Sequence, residues 1–262
     1  MAVVAACTTH EDGRSHPTDD DALVMPQADA KAGTLGTTGG SASTSGIETI
    51  ADIRKIPEYQ NCDEAAAAVN NGFYGPELNA ELGDVVVTAG RFVLYRHPSN
   101  PAQNLYGYFV ADPGGGPDSG VVLSLDATQT TIFDVGTHLA VSGKSTSYFC
   151  NTQLRATAIN QLDDQTEAVE PVAVSSQILA DPALGEAYEG ALVRLNRGTV
   201  TAAPNKFGEF QIDGVLFVGD LYAYQAPTKG DVVNITGVMN YSFGKRMLEP
   251  RSDADIEILG SR

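Results

Sequence analysis

The feature that most constrains this chain is that its second half repeats its first. Tyr106-Gly107-Tyr108-Phe109-Val110-Ala111-Asp112 lines up with Phe207-Gly208-Glu209-Phe210-Gln211-Ile212-Asp213, keeping an aromatic, a Gly, an aromatic and an Asp in step. Farther on, Val135-Gly136-Thr137-His138-Leu139-Ala140-Val141-Ser142-Gly143 lines up with Lys229-Gly230-Asp231-Val232-Val233-Asn234-Ile235-Thr236-Gly237. Each of these reads as a turn Gly, a strand of period two and a closing Gly. Leu154 follows Gly143 by 11 residues, and Leu248 follows Gly237 by 11. Three anchors kept in one order argue for two copies of one module.

Both copies open alike. Gly83-Asp84 precedes Val85–Tyr95, and Glu189-Gly190 precedes Ala191–Thr201, two long first strands interrupted at Gly90 and Gly198. A Gly inside a strand marks a bulge or a bend at a barrel corner. A long bent first strand, a hairpin ending in Asp, a variable connection and a closing strand pair describe a five-stranded OB-fold-like barrel. With 262 residues the chain can form two domains, each burying its own core, although length alone also allows one large domain. Its 27 Gly and 13 Pro suit short strands joined by turns. The expected fold is therefore all-β: two tandem five-stranded OB-fold-like barrels after a disordered N-terminal tether. The expected boundaries are 1–46 for the tether, 47–165 for the first module and 166–262 for the second. The Ala-rich stretch Cys62–Phe73 is expected to form a lead-in helix within the first.

The start of the chain carries its own signal. Val4-Ala5-Ala6-Cys7 is a small-residue run before Cys, and it resembles the lipobox of bacterial lipoproteins. That resemblance implies lipidation at Cys7 and a place at the bacterial cell envelope or outside the cell. From Gly33 to Gly46, 12 of 14 residues are Gly, Ser or Thr, the composition of a flexible linker. In an exported chain the remaining Cys62 and Cys150 are expected to pair. Two buried thiols or a partial metal site are the alternatives. With no His or further Cys nearby, the latter has too few ligands for structural zinc.

The second copy reads EGALVRLNRGTV, then FGEFQID, then KGDVVNITGVMNYSFGKRMLEPRSDADIEI. It resembles the OB-fold modules that stand beside endonuclease/exonuclease/phosphatase and lamin-tail domains in bacterial extracellular nucleases. Leu248-Glu249-Pro250-Arg251-Ser252-Asp253-Ala254-Asp255-Ile256 is similar to the Leu-x-Pro-Arg-x-x-x-Asp-Ile run that ends those modules, and Ile47–Pro57 resembles their lead-in. The resemblance implies a fold and an exported setting. It implies no nuclease activity, because that chemistry belongs to the neighbouring domains.

A search for chemistry in the residues themselves finds little. His10, His16, His97 and His138 sit in no metal-ligand spacing, Gly-x-Ser-x-Gly is absent, and there is no phosphate loop. Asp112-Pro113-Gly114-Gly115-Gly116-Pro117-Asp118-Ser119 lacks the Asp alternation of a calcium loop and reads as a hairpin turn. No catalytic residue, metal site or cofactor is expected. The net charge is −17; residues 1–46 hold two bases against six acids, which leaves residues 47–262 at −13. Such a mean field disfavours nucleic acid as a partner.

The candidate ligand contacts are aromatic and basic residues on the strands that OB barrels use for polymers: Arg91, Arg96, Tyr106, Tyr108, Phe207 and Phe210. Strand alternation puts Tyr106 and Tyr108 on one face and Phe109 on the other, and one of these faces must be core. The expected function is a noncatalytic binding or scaffold module for an unknown protein or polymer, touching membrane only through its lipid. The alternatives are an accessory nucleic-acid or polysaccharide binder for an extracellular hydrolase and, third, a degenerate metal-dependent phosphoesterase.

Overall fold

The structure is a computed structural model. It describes residues 46–242 and 244–261, apart from the side chains of residues 163–165. Cys7 and the expected tether to residue 45 lie outside the described residues.

The described chain begins with three short helices rather than one. Thr49 accepts from the Asp52 amide to start α1 (Ile50–Arg54), and Pro57 opens α2 (Pro57–Gln60). Asp63 accepts from the Ala65 and Ala66 amides at the start of α3 (Glu64–Val69). The Ala-rich helix is thus shorter than Cys62–Phe73. It stops where Asn71 and Gly72 turn left-handed, with φ of 54° and 91°. Ile50, Ile53, Ile56 and Tyr59 are buried in the core of the barrel that follows.

That barrel is closed, in the order β1-β2-β3-β5-β4. Its strands are β1 (Phe73–Tyr95), β2 (Leu105–Ala111), β3 (Gly120–Leu125), β4 (Thr137–Tyr148) and β5 (Asn151–Thr166). Only β3 and β5 run parallel, along Val122–Ser124 and Gln153–Arg155. The first strand begins at Phe73, well before Val85. Val85, Val87, Tyr108, Val110, Leu123, Leu139, Val141 and Leu154 fill the interior.

The rest of the chain forms β6 (Val172–Ala173), α4 (Ser176–Ala180), β7 (Leu192–Ala202), β8 (Phe210–Ile212), β9 (Leu216–Val218), β10 (Asp231–Ser242), β11 (Lys245–Glu249) and β12 (Ile256–Ser261). These strands make a seven-stranded sheet in the order β12-β10-β11-β9-β8-β7-β6, and β10 also pairs with β7. Here the β9–β11 pair is parallel. Val193, Leu195, Phe210, Ile212, Val218, Val233, Ile235 and Leu248 make its core.

Two residue-level matches need correction. In β2 the side chains of Tyr108 and Val110 point inward, and in β8 those of Phe210 and Ile212 do. Phe109, aligned above with Phe210, points outward instead. By the face it presents, Tyr108 rather than Phe109 matches Phe210, since a one-residue slip exchanges the faces of a strand. Gly107 accordingly lies within β2 opposite Phe92, whereas Gly208 lies in the turn before β8. The interrupting glycines also differ in their neighbours. Gly90 coincides with an irregularity in the β1–β2 pairing, and Gly198 with one in the β7–β10 pairing.

The outward face of β1, β2 and β3 is not wet. Val86, Ala89, Phe92, Phe109 and Val122 pack against Leu192 and Val238 of the C-terminal sheet and against Leu221 and Tyr222 of the loop after β9. Arg251 donates to the Thr88 carbonyl at 2.9 Å, and the Tyr222 hydroxyl to the Gly90 carbonyl at 2.9 Å.

Candidate binding cleft

The nominated contact residues scatter. Tyr108 and Phe210 are 0% and 1% exposed, so both are core residues and cannot meet a ligand. Their rings are the bulky inward positions of β2 and β8; the Tyr108 hydroxyl keeps its hydrogen-bonding capacity by accepting from the Phe133 amide at 3.1 Å. Tyr106 is half-buried and carries the Arg91 guanidinium over its ring at 4.1 Å. Arg96 is exposed in the loop after β1. Phe207 is 38% exposed, with the Lys206 ammonium 4.6 Å from its ring centre.

What the fold does assemble is a cleft at one end of the barrel. The end of β1 contributes Leu94 and Tyr95, the start of β2 Leu105, and the end of β3 Ser124 and Leu125. Phe73 comes from the opposite end of β1, brought there because it pairs with Tyr148 at the end of β4. Gln153 and Arg155 of β5 close the wall. The cavity is about 100 Å³, room for one ring or side chain and well below the several hundred Å³ of pockets that engulf whole small molecules. Its lining is mostly apolar, with Phe73 and Tyr148 edge to face at 5.3 Å.

The hairpin that supplies Tyr148 is held from three sides. Phe149 and Cys150 form its tight turn, both with positive φ. Cys150 is disulfide-bonded to Cys62, with Cα atoms 5.4 Å apart. The Phe149 amide donates to the Gly72 carbonyl at 2.7 Å. Asn151 then donates to the Asn240 side chain at 3.0 Å and to the Tyr241 carbonyl at 2.8 Å.

Charge at the rim is mostly spoken for. Arg155 pairs with Glu77 at 2.7 Å, and Lys144 approaches the same carboxylate at 3.8 Å. The Asp126 carboxyl is held below its ordinary range by the Thr128 hydroxyl and amide. Among the described residues no group of three or more His, Cys, Asp or Glu is placed to hold a metal ion.

The positions of the C-terminal sheet that the sequence match points to are buried. The step that carries Gly143 to Gly237 and Leu154 to Leu248 carries Thr146 to Asn240 and Arg155 to Glu249. Asn240 and Glu249 are buried, and Glu249 accepts from the Leu221 amide at 3.1 Å.

No family model and no curated protein matches the chain. Among solved structures, one of a murine DNA-binding protein bound to double-stranded DNA is similar over 67% of this chain and 95% of its own, at 10% identity and a TM-score of 0.30. A likeness at that level carries no argument about fold or function.

Proposed function

We propose that this chain is a noncatalytic, exported binding or scaffold module built from two copies of one OB-like barrel, and that it holds one ring of an uncharged polymer in the cleft of the first. The observation that carries the reading is the ring-sized cleft walled by Phe73, Tyr95 and Tyr148.

The pairing pattern supports the two-copy part, with modules spanning 47–165 and 166–262. β7 pairs with β8, β8 with β9, β9 with β11 in parallel, β11 with β10, and β10 with β7. That is the circuit of β1 to β5 in the same order. A Cβ on Gly143 would stand 2.3 Å from the Arg155 carbonyl oxygen, and one on Gly237 2.5 Å from that of Glu249. Both copies thus need Gly at the same close approach of the closing strands. The order also suits the OB-fold modules of bacterial extracellular nucleases that the sequence resembles.

Export is supported by the cystine, which persists in oxidising compartments, and by the small-residue run before Cys7. A neutral ring suits a cleft whose rim charges are paired in a chain of net charge −17.

The test is a titration of the isotope-labelled protein with neutral hexasaccharides, and separately with a single-stranded oligonucleotide, followed by NMR. A hexasaccharide should move the Phe73, Tyr95 and Tyr148 resonances, with an affinity unchanged between about 50 and 200 mM salt. Tyr148→Ala should weaken it about tenfold, the loss of one stacking ring. Binding confined to the oligonucleotide, falling steeply with salt, would replace this reading with nucleic-acid recognition.

A further inference from the structure

Glu249 is the one residue of the closing strand β11 that the apolar core cannot explain. It is 1% exposed, and its hydrogen-bond partners among the described residues are an amide and an asparagine side chain, neither of them a cation. Its carboxylate accepts from the Leu221 amide at 3.1 Å and, weakly, from Asn240 at 3.5 Å. It also lies hard against the loop backbone, since a Cβ on Gly219 would be 2.3 Å from Oε1.

Each of these contacts leads across the boundary to the barrel. Leu221 and its neighbour Tyr222 pack on the outward face of β1 and β2; the Tyr222 ring meets Phe92 edge to face at 6.3 Å, and its hydroxyl reaches the Gly90 carbonyl. Asn240 accepts from Asn151, at the base of the β4–β5 hairpin. One carboxylate therefore supports two of the contacts that join the barrel to the C-terminal sheet.

We propose that Glu249 is a proton-controlled latch on that boundary: neutral, it holds residues 219–226 against the barrel, and ionised, it draws water in and loosens them. The proposal is independent of what the cleft binds. The physical reason is that a buried carboxylate without a cation favours its neutral form, and an ionised one is relieved only by rehydration. The hydrogen bonds from Leu221 and Asn240 favour the charged form, but burial outweighs them and the nearby charges act with burial. Asp220 of the loop and Glu209 of the turn before β8 both add negative potential, and Lys245 is engaged with Glu209 at 3.1 Å. Arg251 follows the strand but is held by both carboxylate oxygens of Asp255 at 2.8 Å and by the Thr88 carbonyl. The loop's other titratable groups, Tyr222 and Tyr224, are pushed upward by burial and stay neutral through this range. Burial raises the Glu249 carboxyl to about 7, which puts the change near neutrality.

Amide-exchange protection factors, corrected for the intrinsic pH dependence of exchange, test the latch. Between about pH 5.5 and pH 8.5, protection at Leu221 and Tyr222 should fall by about tenfold or more, while the amides of β2 and β3 keep theirs. In Glu249→Gln the loop should stay protected throughout. Asp220→Asn, which removes a neighbouring negative charge without touching the Glu249 carboxylate, should move the midpoint of the wild-type fall to lower pH, by a few tenths of a pH unit or more, because ionised Glu249 is then less disfavoured. A wild-type loop whose protection does not change with pH, or a Glu249→Gln loop that falls as the wild type does, would overturn the proposal. If Glu249→Gln does not fold, an Asp220→Asn midpoint that stays in place or rises overturns it equally.

Discussion

Gly120 and Gly190 touch through their backbones. A Cβ on Gly120 would stand 2.0 Å from the Gly190 carbonyl carbon, and one on Gly190 would stand 2.5 Å from that of Gly120. The contact lies where β3 begins and where the chain enters β7. It is flanked by a hydrogen bond from the Asp118 amide to the Ala187 carbonyl at 2.6 Å and one from the Gly190 amide to the Met239 carbonyl at 2.7 Å. No side chain fits between two main chains held this close, so the boundary between barrel and sheet is fixed at a point where both sides must be Gly.

Gly120→Ala should therefore destabilise the protein by about 3 kcal/mol, the upper part of the range for overpacking, because backbone cannot yield as a flexible side chain does. Gly83→Ala, where nothing lies within 4 Å of the added Cβ, should change stability by less than about 0.5 kcal/mol. Urea unfolding of the two variants makes the comparison, and equal losses would mean that the two backbones separate easily.

The cystine closes a loop with a sequence separation of 88 residues. Chain-entropy reasoning gives such a closure about 4–5 kcal/mol through the unfolded state. Replacing Cys62 and Cys150 by Ala together should lower stability by up to that amount. It should also loosen the Tyr148–Cys150 turn more than β3, as read by amide exchange. An unchanged unfolding midpoint would show that the bond constrains little.

Arg54 crosses the same boundary with its side chain 1% exposed. It meets Glu189 at 3.0 Å and Glu186 at 2.6 Å; Glu189 is equally buried and also accepts from the Thr152 amide at 2.8 Å. Burial pushes the Glu189 carboxyl up, and Arg54 opposes that shift. Arg54→Met should cost about 3–5 kcal/mol because it strands a buried carboxylate, and the double variant Arg54→Met, Glu189→Leu should recover much of the loss. Additive losses in chemical denaturation would contradict coupling.

Asp112 closes the β2–β3 turn half-buried, and burial together with Asp84 raises its carboxyl to about 6. The folded state then holds the proton more tightly than the unfolded chain. Its contribution to stability is complete below about pH 4 and is lost as pH rises through about 6. Asp112→Asn should flatten that part of the stability profile, by less than the full shift implies because water reaches the group. Asp126 and Asp231 act oppositely, since hydrogen bonds hold their carboxyls low and their support is lost on acidification. Thermal unfolding at a series of pH values, wild type against Asp112→Asn, reads the difference.

The predominance of strands and the hairpin turn at Asp112–Ser119 were legible because they are local: turn glycines and period-two runs survive without knowledge of neighbours. The phase of β2 was not legible. Leu105–Ala111 is apolar on both faces, since one lines the barrel and the other is covered by Leu192, Val238 and Tyr222, and a strand buried on both sides has no alternation to read. For that reason Tyr108 looked like a contact residue and Phe109 like the partner of Phe210.

The cleft was hidden by distance along the chain. Phe73 reaches Tyr95 only because β1 is long enough to curl around the barrel, and it reaches Tyr148 only by pairing with β4. Arg54 meets Glu189, and Glu249 is buried beneath Leu221, through packing between segments far apart in sequence. From the sequence alone came the strand-rich class of the chain and the turns that divide it, because turn glycines and period-two runs are local. The tertiary structure decided which face of each strand is covered, because burial depends on the neighbour that closes over a surface and not on the residues that make it.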